Sequence, residues 1–160
     1  MKTIEFLFLS IGFLSFVSCV TTEPTTTKAP SNEPALFRDS NLETAVRKEL
    51  EKPLGLITRR DLASLEKLGA SGMRITDLTG LEFAINLTRL HLSGNKINDL
   101  SPLSKITSLT AINLRQNQIT DVTPLLKLIN LTELNLSANK INDGQKEILG
   151  KALPNCSTLF

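Results

Sequence analysis

The sequence predicts an α/β solenoid, in which short parallel strands stack into one concave sheet, tight turns close the convex side, and separate caps cover both ends. Three observations point to it. One phrase, Leu87-Thr-Arg-Leu-His-Leu-Ser-Gly-Asn95, returns after 22 residues as Leu109-Thr-Ala-Ile-Asn-Leu-Arg-Gln-Asn117, and after 22 more as Leu131-Thr-Glu-Leu-Asn-Leu-Ser-Ala-Asn139. The tails repeat too, as Lys96-Ile-Asn-Asp99, Gln118-Ile-Thr-Asp121 and Lys140-Ile-Asn-Asp143. Outside this stretch the wording changes, as the terminal units of a repeat array must, because their outer faces would otherwise meet water.

The chain has 160 residues, enough for one domain with appendages. It begins like an export signal: Lys2, then a nearly continuous apolar run from Phe6 to Val17, then small or polar residues. A helix over that run rises only about 18 Å, short of the roughly 30 Å hydrocarbon core of a bilayer. Residues 1–19 are therefore expected to be a signal peptide. No second apolar run of spanning length follows, so the mature chain is expected to be exported, and either soluble or held by a lipid. Cys19 stands where a bacterial lipoprotein signal places its acylated cysteine, with the small Ser18 before it. Ordinary cleavage nearby, with Cys19 discarded, is the alternative. Either outcome leaves Cys156 as the one remaining thiol, so no disulfide framework is expected. Cys156 is expected to be buried filler at the first leucine position of a fifth coil.

Residues 20–36 are rich in Thr and Pro and offer almost nothing to bury, which predicts a disordered spacer. Residues 37–64 are expected to form a helical amino-terminal cap. Leu42, Ala45, Val46 and Leu50 share one helical face, with Asp39 or Ser40 as the capping residue and Pro53 and Gly55 as the stop. Thr58 and Asp61 have capping-box spacing ahead of Leu62 and Leu65.

Residues 65–142 hold the coils. The period of 22 and the pattern L-x-x-L-x-L-x-x-N read as a leucine-rich repeat. Leu65 keeps the phase one coil earlier, giving four strands. Positions one, four and six point inward. Asn95, Asn117 and Asn139 turn the chain off each strand, and their buried amides are expected to ladder between coils, with Met73 breaking the ladder at the first. Asp99-Leu-Ser-Pro-Leu103 and Asp121-Val-Thr-Pro-Leu125 suit a single tight 3-10 turn on the convex side. In residues 143–160 a fuller helix is expected, burying Ile148, Leu149, Ala152 and Leu153, followed by a fifth strand. Together they form the carboxy-terminal cap.

Fixed periodicity stacks the outward residues in columns about 4.8 Å apart. One column reads Lys67, Arg89, Ala111, Glu133; the next Gly69, His91, Asn113, Asn135; the third Ser71, Ser93, Arg115, Ser137. On this concave face Arg89, His91, Asn113, Arg115, Glu133 and Asn135 are the candidate ligand-binding residues. The alternative is that they are ordinary solvated strand positions. Roughly 350 Å² of flat face falls short of the ~800 Å² per partner of a standard interface. With Trp and Tyr absent, weak, multivalent or rim-assisted binding is expected.

Composition excludes several classes. The net charge of +2 gives no basic stripe of the kind that grips nucleic acid. His91 is the single histidine and has no evident carboxylate to orient it, so no enzyme activity, no metal site and no cofactor are expected. The sequons at Asn86, Asn130 and Asn135 follow from the repeat wording.

The helical cap, the segment Gly80-Leu-Glu-Phe-Ala-Ile-Asn-Leu-Thr88, and the coils Asn95-Lys-Ile-Asn-Asp-Leu-Ser-Pro-Leu103 and Asn117-Gln-Ile-Thr-Asp-Val-Thr-Pro-Leu125 resemble the internalin-type leucine-rich repeats of bacterial surface proteins. The resemblance covers residues 37–142. It implies extracellular protein recognition on the concave face, often of a host surface protein. The coils here are few, and neither an immunoglobulin-like domain nor a wall-sorting signal follows them. The expected function is an exported, surface-associated protein-binding module, monomeric, with a host or envelope protein as partner and a lipid anchor at Cys19 as its membrane link. The expected location is the cell surface or outer membrane as a lipoprotein, or the medium. The alternative is a structural or assembly component of the envelope without a foreign ligand.

Overall fold

The computed structural model describes residues 30–160. The expected signal at 1–19, the lipidation residue Cys19 and positions 20–29 of the expected spacer lie outside the described residues. The remaining positions of that spacer are not loose. Pro34 forms an antiparallel bridge with Thr58, and the Ala35 N–H donates to Ile57 O at 2.8 Å. Docked chain thus lies ahead of the expected boundary at 36. Composition alone misjudges this segment, because one small side chain and a few backbone bonds suffice to dock it, and Ala35 is buried.

Two helices build the amino-terminal cap. Helix α1 (Ser40–Glu49) starts on Asp39, whose carboxylate accepts from Asn41 N at 2.9 Å and Leu42 N at 3.1 Å. Leu42, Ala45 and Val46 bury its inner face, as their spacing requires. Arg47 pairs with Glu43 one turn back at 2.7 Å on the outer face. The helix stops earlier than the Pro53 and Gly55 breakers imply: Leu50 is the last cap and Glu51 bends left-handed at φ 51°. Helix α2 (Arg59–Ala63) has the expected reciprocal capping box, with Asp61 N on Thr58 Oγ1 at 3.2 Å and Thr58 N on Asp61 Oδ2 at 2.7 Å. Burial pushes the Asp61 carboxyl up, but the hydrogen bonds from Lys52 and Thr58 outweigh it and hold the group below the usual carboxylate range.

Five strands follow, β1 (Lys67–Gly69), β2 (Arg89–His91), β3 (Ala111–Asn113), β4 (Glu133–Asn135) and β5 (Ser157–Leu159), all parallel and in chain order. Register is exact to the repeat, so Leu68, Leu90, Ile112 and Leu134 stack at the centre of the core and are buried. Between strands the chain returns through 3-10 turns at Leu81–Phe83, Ser101–Lys105 and Thr123–Leu125. Asp99 and Asp121 start the later two by accepting from the N–H of Ser101 and Thr123, at 2.8 and 2.9 Å.

The asparagine ladder forms as expected. The Asn95 side chain donates to Ala70 O and Leu92 O, at 2.9 and 2.8 Å, and accepts from Met73 N and Ile75 N, both at 3.0 Å. Asn117 and Asn139 repeat three of these bonds one and two coils later, all but the one equivalent to Met73 N. Each amide so binds its own coil to the one before it. A threonine ladder runs alongside: the hydroxyls of Thr88, Thr110 and Thr132 donate to the carbonyls of Glu66, Thr88 and Thr110.

Helix α3 (Asp143–Ala152) closes the far end, capped by Asn142. Leu149 and Leu153 seal the last coil, but Ile148 is 43% exposed and does not belong to the buried face. One residue before Leu149, it lies about 100° further round the helix, off the narrow contact stripe. The fifth strand also begins one residue earlier than expected. Ser157 pairs with Glu133, which aligns Cys156 with Thr132 and leaves it half-buried. Desolvation pushes its thiol up, against a hydrogen bond to Thr158 that lowers it. Among the described residues no helix is long and apolar enough to cross a membrane.

Candidate functional site: the concave face

Strand alternation decides what this face presents. With the central residue of β1 to β4 buried and that of β5 half-buried, the two neighbours of each point outward. The register sets Arg89 beside Ala111 and Ala111 beside Glu133, and likewise His91, Asn113 and Asn135 in a row. The fifth strand extends both rows, adding Ser157 after Glu133 and Leu159 after Asn135. A shallow depression of about 420 Å³ lies over β3, β4 and β5. His91, Asn113, Glu133 and Asn135 line it together with Ala111, Ser157 and Leu159.

Four of the six candidate residues are therefore brought together. Arg89 and Arg115 are exposed but outside the depression, on the amino-terminal side and along the strand ends. Ala111, with its short side chain, stands between Arg89 and Glu133 in the row and lines the depression. Ser157 and Leu159 were missed by the sequence reading. Their signal was the outward-inward-outward alternation of Ser157, Thr158 and Leu159, obscured because α3 shifts the phase by two residues. Leu159 is 58% exposed and gives an otherwise polar face one apolar edge.

The two asparagines are not free rotors. Asn113 Oδ1 accepts from Arg115 N at 3.1 Å, and Asn135 Oδ1 accepts from Ser137 N at 3.0 Å and from the Ser137 hydroxyl at 2.6 Å. With each carbonyl oxygen engaged locally, the NH2 group is what each side chain offers a ligand. The row thus presents fixed donors, flanked by the Glu133 acceptor and the two guanidinium groups. That arrangement suits backbone carbonyls and mixed charges.

It does not suit nucleophilic or acid-base chemistry. Glu133 stands two strands from His91, with the Asn113 strand between them, and among the described residues no hydrogen bond joins a carboxylate to the imidazole. The amides of Asn86 and Asn130 are committed to the coil, donating to Ala63 O at 2.8 Å and Thr107 O at 2.9 Å.

Comparison with known proteins agrees with the geometry. The family description "Leucine Rich repeats (2 copies)" matches residues 63–105, 85–127 and 107–144. Among solved structures, an internalin (InlF) of Listeria monocytogenes is 35% identical, with a TM-score of 0.65 over 74% of this chain and 36% of that one. The functional domain of InlJ from the same organism is 30% identical, with a TM-score of 0.68 over 84% of this chain and 29% of that one. A leucine-rich repeat protein of Leptospira interrogans is 33% identical, with a TM-score of 0.58 over 62% of this chain and 27% of that one. The chain thus spans about a third of the length of these three similar structures. No curated protein matches it.

Proposed function

The chain belongs to the leucine-rich repeat family, with coils of the internalin type, and from that premise we propose that it is an exported, surface-associated module that binds a protein through its concave face. The observation that carries the reading is the row of locked asparagine amides beside His91, Glu133 and Leu159 in one depression. A partner segment lying across the strands would give its carbonyls to Asn113 and Asn135, a basic side chain to Glu133 and an apolar one to Leu159. Arg89 and Arg115 would meet acidic groups at the rim. The sheet is small, so the complex is expected to be of modest affinity unless multivalent. Export through the signal at 1–19 and acylation of Cys19 belong to the same reading, with a host or envelope protein as the partner.

The test is a pull-down from host and envelope fractions with the wild type, the double reversal R89E/R115E and the convex-side control K127E. Capture should fall at least tenfold for the double reversal and stay level for the control, as expected when two rim charges are turned against their partners. Identical partners retained by both variants would sink the concave-face assignment and favour a structural envelope component. Intact-mass analysis of the mature amino terminus checks the anchor: an unmodified start beyond Cys19 removes it.

A further inference from the structure

Three leucines of the amino-terminal cap stand in water within a short stretch of paired chain and its adjoining loop. Leu36, Leu54 and Leu56 are 77%, 83% and 69% exposed. Backbone pairing brings two of them together: the Pro34–Thr58 bridge and the Ala35 N–H to Ile57 O bond place Leu36 opposite Leu56. Ala35 and Ile57 turn into the core, so the alternation of extended chain turns both leucines outward. Leu54 follows two residues away, across Gly55. The loop carrying it is braced. Arg47 donates to Lys52 O at 3.2 Å and to Gly55 O at 3.0 Å, and Glu51 and Gly55 take left-handed bends at φ 51° and 83°.

Single exposed leucines are ordinary, but an adjacent group on a braced loop marks a contact surface. What covers it is indicated by where the chain enters. The segment before Pro30 joins the cap at this same end, where Arg60 N donates to Ser31 O at 3.0 Å. If Cys19 is acylated, the eleven residues from there to Pro30 span at most about 40 Å, so the cap is the part of the domain kept nearest the bilayer. The three leucines offer aliphatic tips without the Trp or Tyr that anchor protein interfaces. A fluid lipid surface needs no shape complementarity. Basic and acidic side chains are equal in number between Pro30 and Ala63, so attraction here is apolar rather than electrostatic.

We propose that Leu36, Leu54 and Leu56 form a membrane-seating tip that dips into the lipid headgroup region and orients the solenoid on the bilayer. The proposal rests on the reading of the chain as exported and anchored. The multiple chains of a lipoprotein cysteine would hold the protein firmly but leave its orientation free, and a second apolar contact fixes that orientation. Because the tip lies on the cap, ahead of β1, seating it leaves the five-stranded face open to a partner.

The absence of Trp and Tyr makes the test direct, since Leu54→Trp creates the sole indole in the full chain. Vesicles of phosphatidylethanolamine and phosphatidylglycerol, with and without brominated acyl chains, are added to this variant. The expected result is a blue shift and bromine quenching that persist in high salt. Adding Leu36→Asp and Leu56→Asp should raise the lipid concentration needed about tenfold or more. Ile129→Trp, at a position 78% exposed on the coils, should not respond. Four outcomes overturn the proposal: an unchanged L54W emission, an equal response from I129W, loss of the response in salt, or a shift without vesicles that grows with protein concentration. The last would assign the tip to a second copy of the chain. R89E/R115E should leave the L54W response intact, so failure of the tip and failure of the concave-face reading are separately visible.

Discussion

Asp39 carries more of the architecture than any other single polar residue. One carboxylate oxygen caps α1, and the other accepts from Thr76 N at 2.8 Å and the Thr76 hydroxyl at 3.0 Å in the first coil. The cap is thereby bonded to the repeats through one buried side chain. Desolvation raises its pKa, but the hydrogen bonds from Thr76, Leu42 and Asn41 outweigh it and hold the carboxyl below its ordinary value of 3.8. A carboxylate depressed on folding stabilises the native state at all pH values above the unfolded value, and that contribution is lost as pH falls through the folded one. Asp39→Ala should cost about 2–4 kcal/mol at pH 7, from a lost cap plus charge-assisted bonds. Asp39→Asn keeps an oxygen for the cap and isolates the charge. Urea unfolding should show the advantage of wild type over D39N constant from neutral pH to about 5 and shrinking below about 4. A constant difference down to pH 2 would mean that the charge contributes nothing.

At the scale of the element, the turns grade what a glycine is for. Gly72, Gly94, Gln116 and Ala138 occupy the same left-handed bend before the next ladder position, at φ 70°, 69°, 56° and 57°. The fold accepts side chains there, and a Cβ on Gly94 would meet nothing closer than Gly72 Cα at 3.8 Å. Gly80 is different. It stands where the later turns carry Pro102 and Pro124, takes φ 101°, and a Cβ on it would lie 2.9 Å from the Phe37 ring and 3.0 Å from Leu36 O. Its neighbour is the amino-terminal cap rather than another coil, which is why the repeat wording breaks there. Gly94→Ala should therefore cost only the left-handed strain, about 1 kcal/mol, and Gly80→Ala about 2–3 kcal/mol because a clash is added. Equal losses in chemical denaturation would show that Phe37 yields freely and that the contact is not what fixes the glycine.

For the whole molecule, legibility followed periodicity. Strand register, the inward leucines, the asparagine ladder and the convex turns were readable because each residue type recurs where one environment recurs. The misreadings lie where the period stops. Ala35 docks by backbone pairing that composition does not reveal, Ile148 turns away because α3 contacts the coil along a narrow stripe, and Cys156 falls at the second repeat position because α3 lengthens the last coil by two residues rather than three. The outward columns of the concave face were legible, but the apolar edge at Leu159 was not, for the same reason. Periodicity also governs how stability is distributed. Each coil touches only its neighbours, so a loss at one end should weaken the near coils first. Leu149 is 1% exposed and seals the last coil from α3, and truncating such a side chain costs about 2–4 kcal/mol. Leu149→Ala should accelerate amide exchange at Leu136 N and Lys140 N, whose bonds run to Leu159 O and Ile119 O, while Ala70 N and Leu92 N keep their protection. Equal acceleration at all four amides would mean that the five strands open as one cooperative unit, and that the amino-terminal cap and its leucine tip cannot be perturbed independently of the binding face.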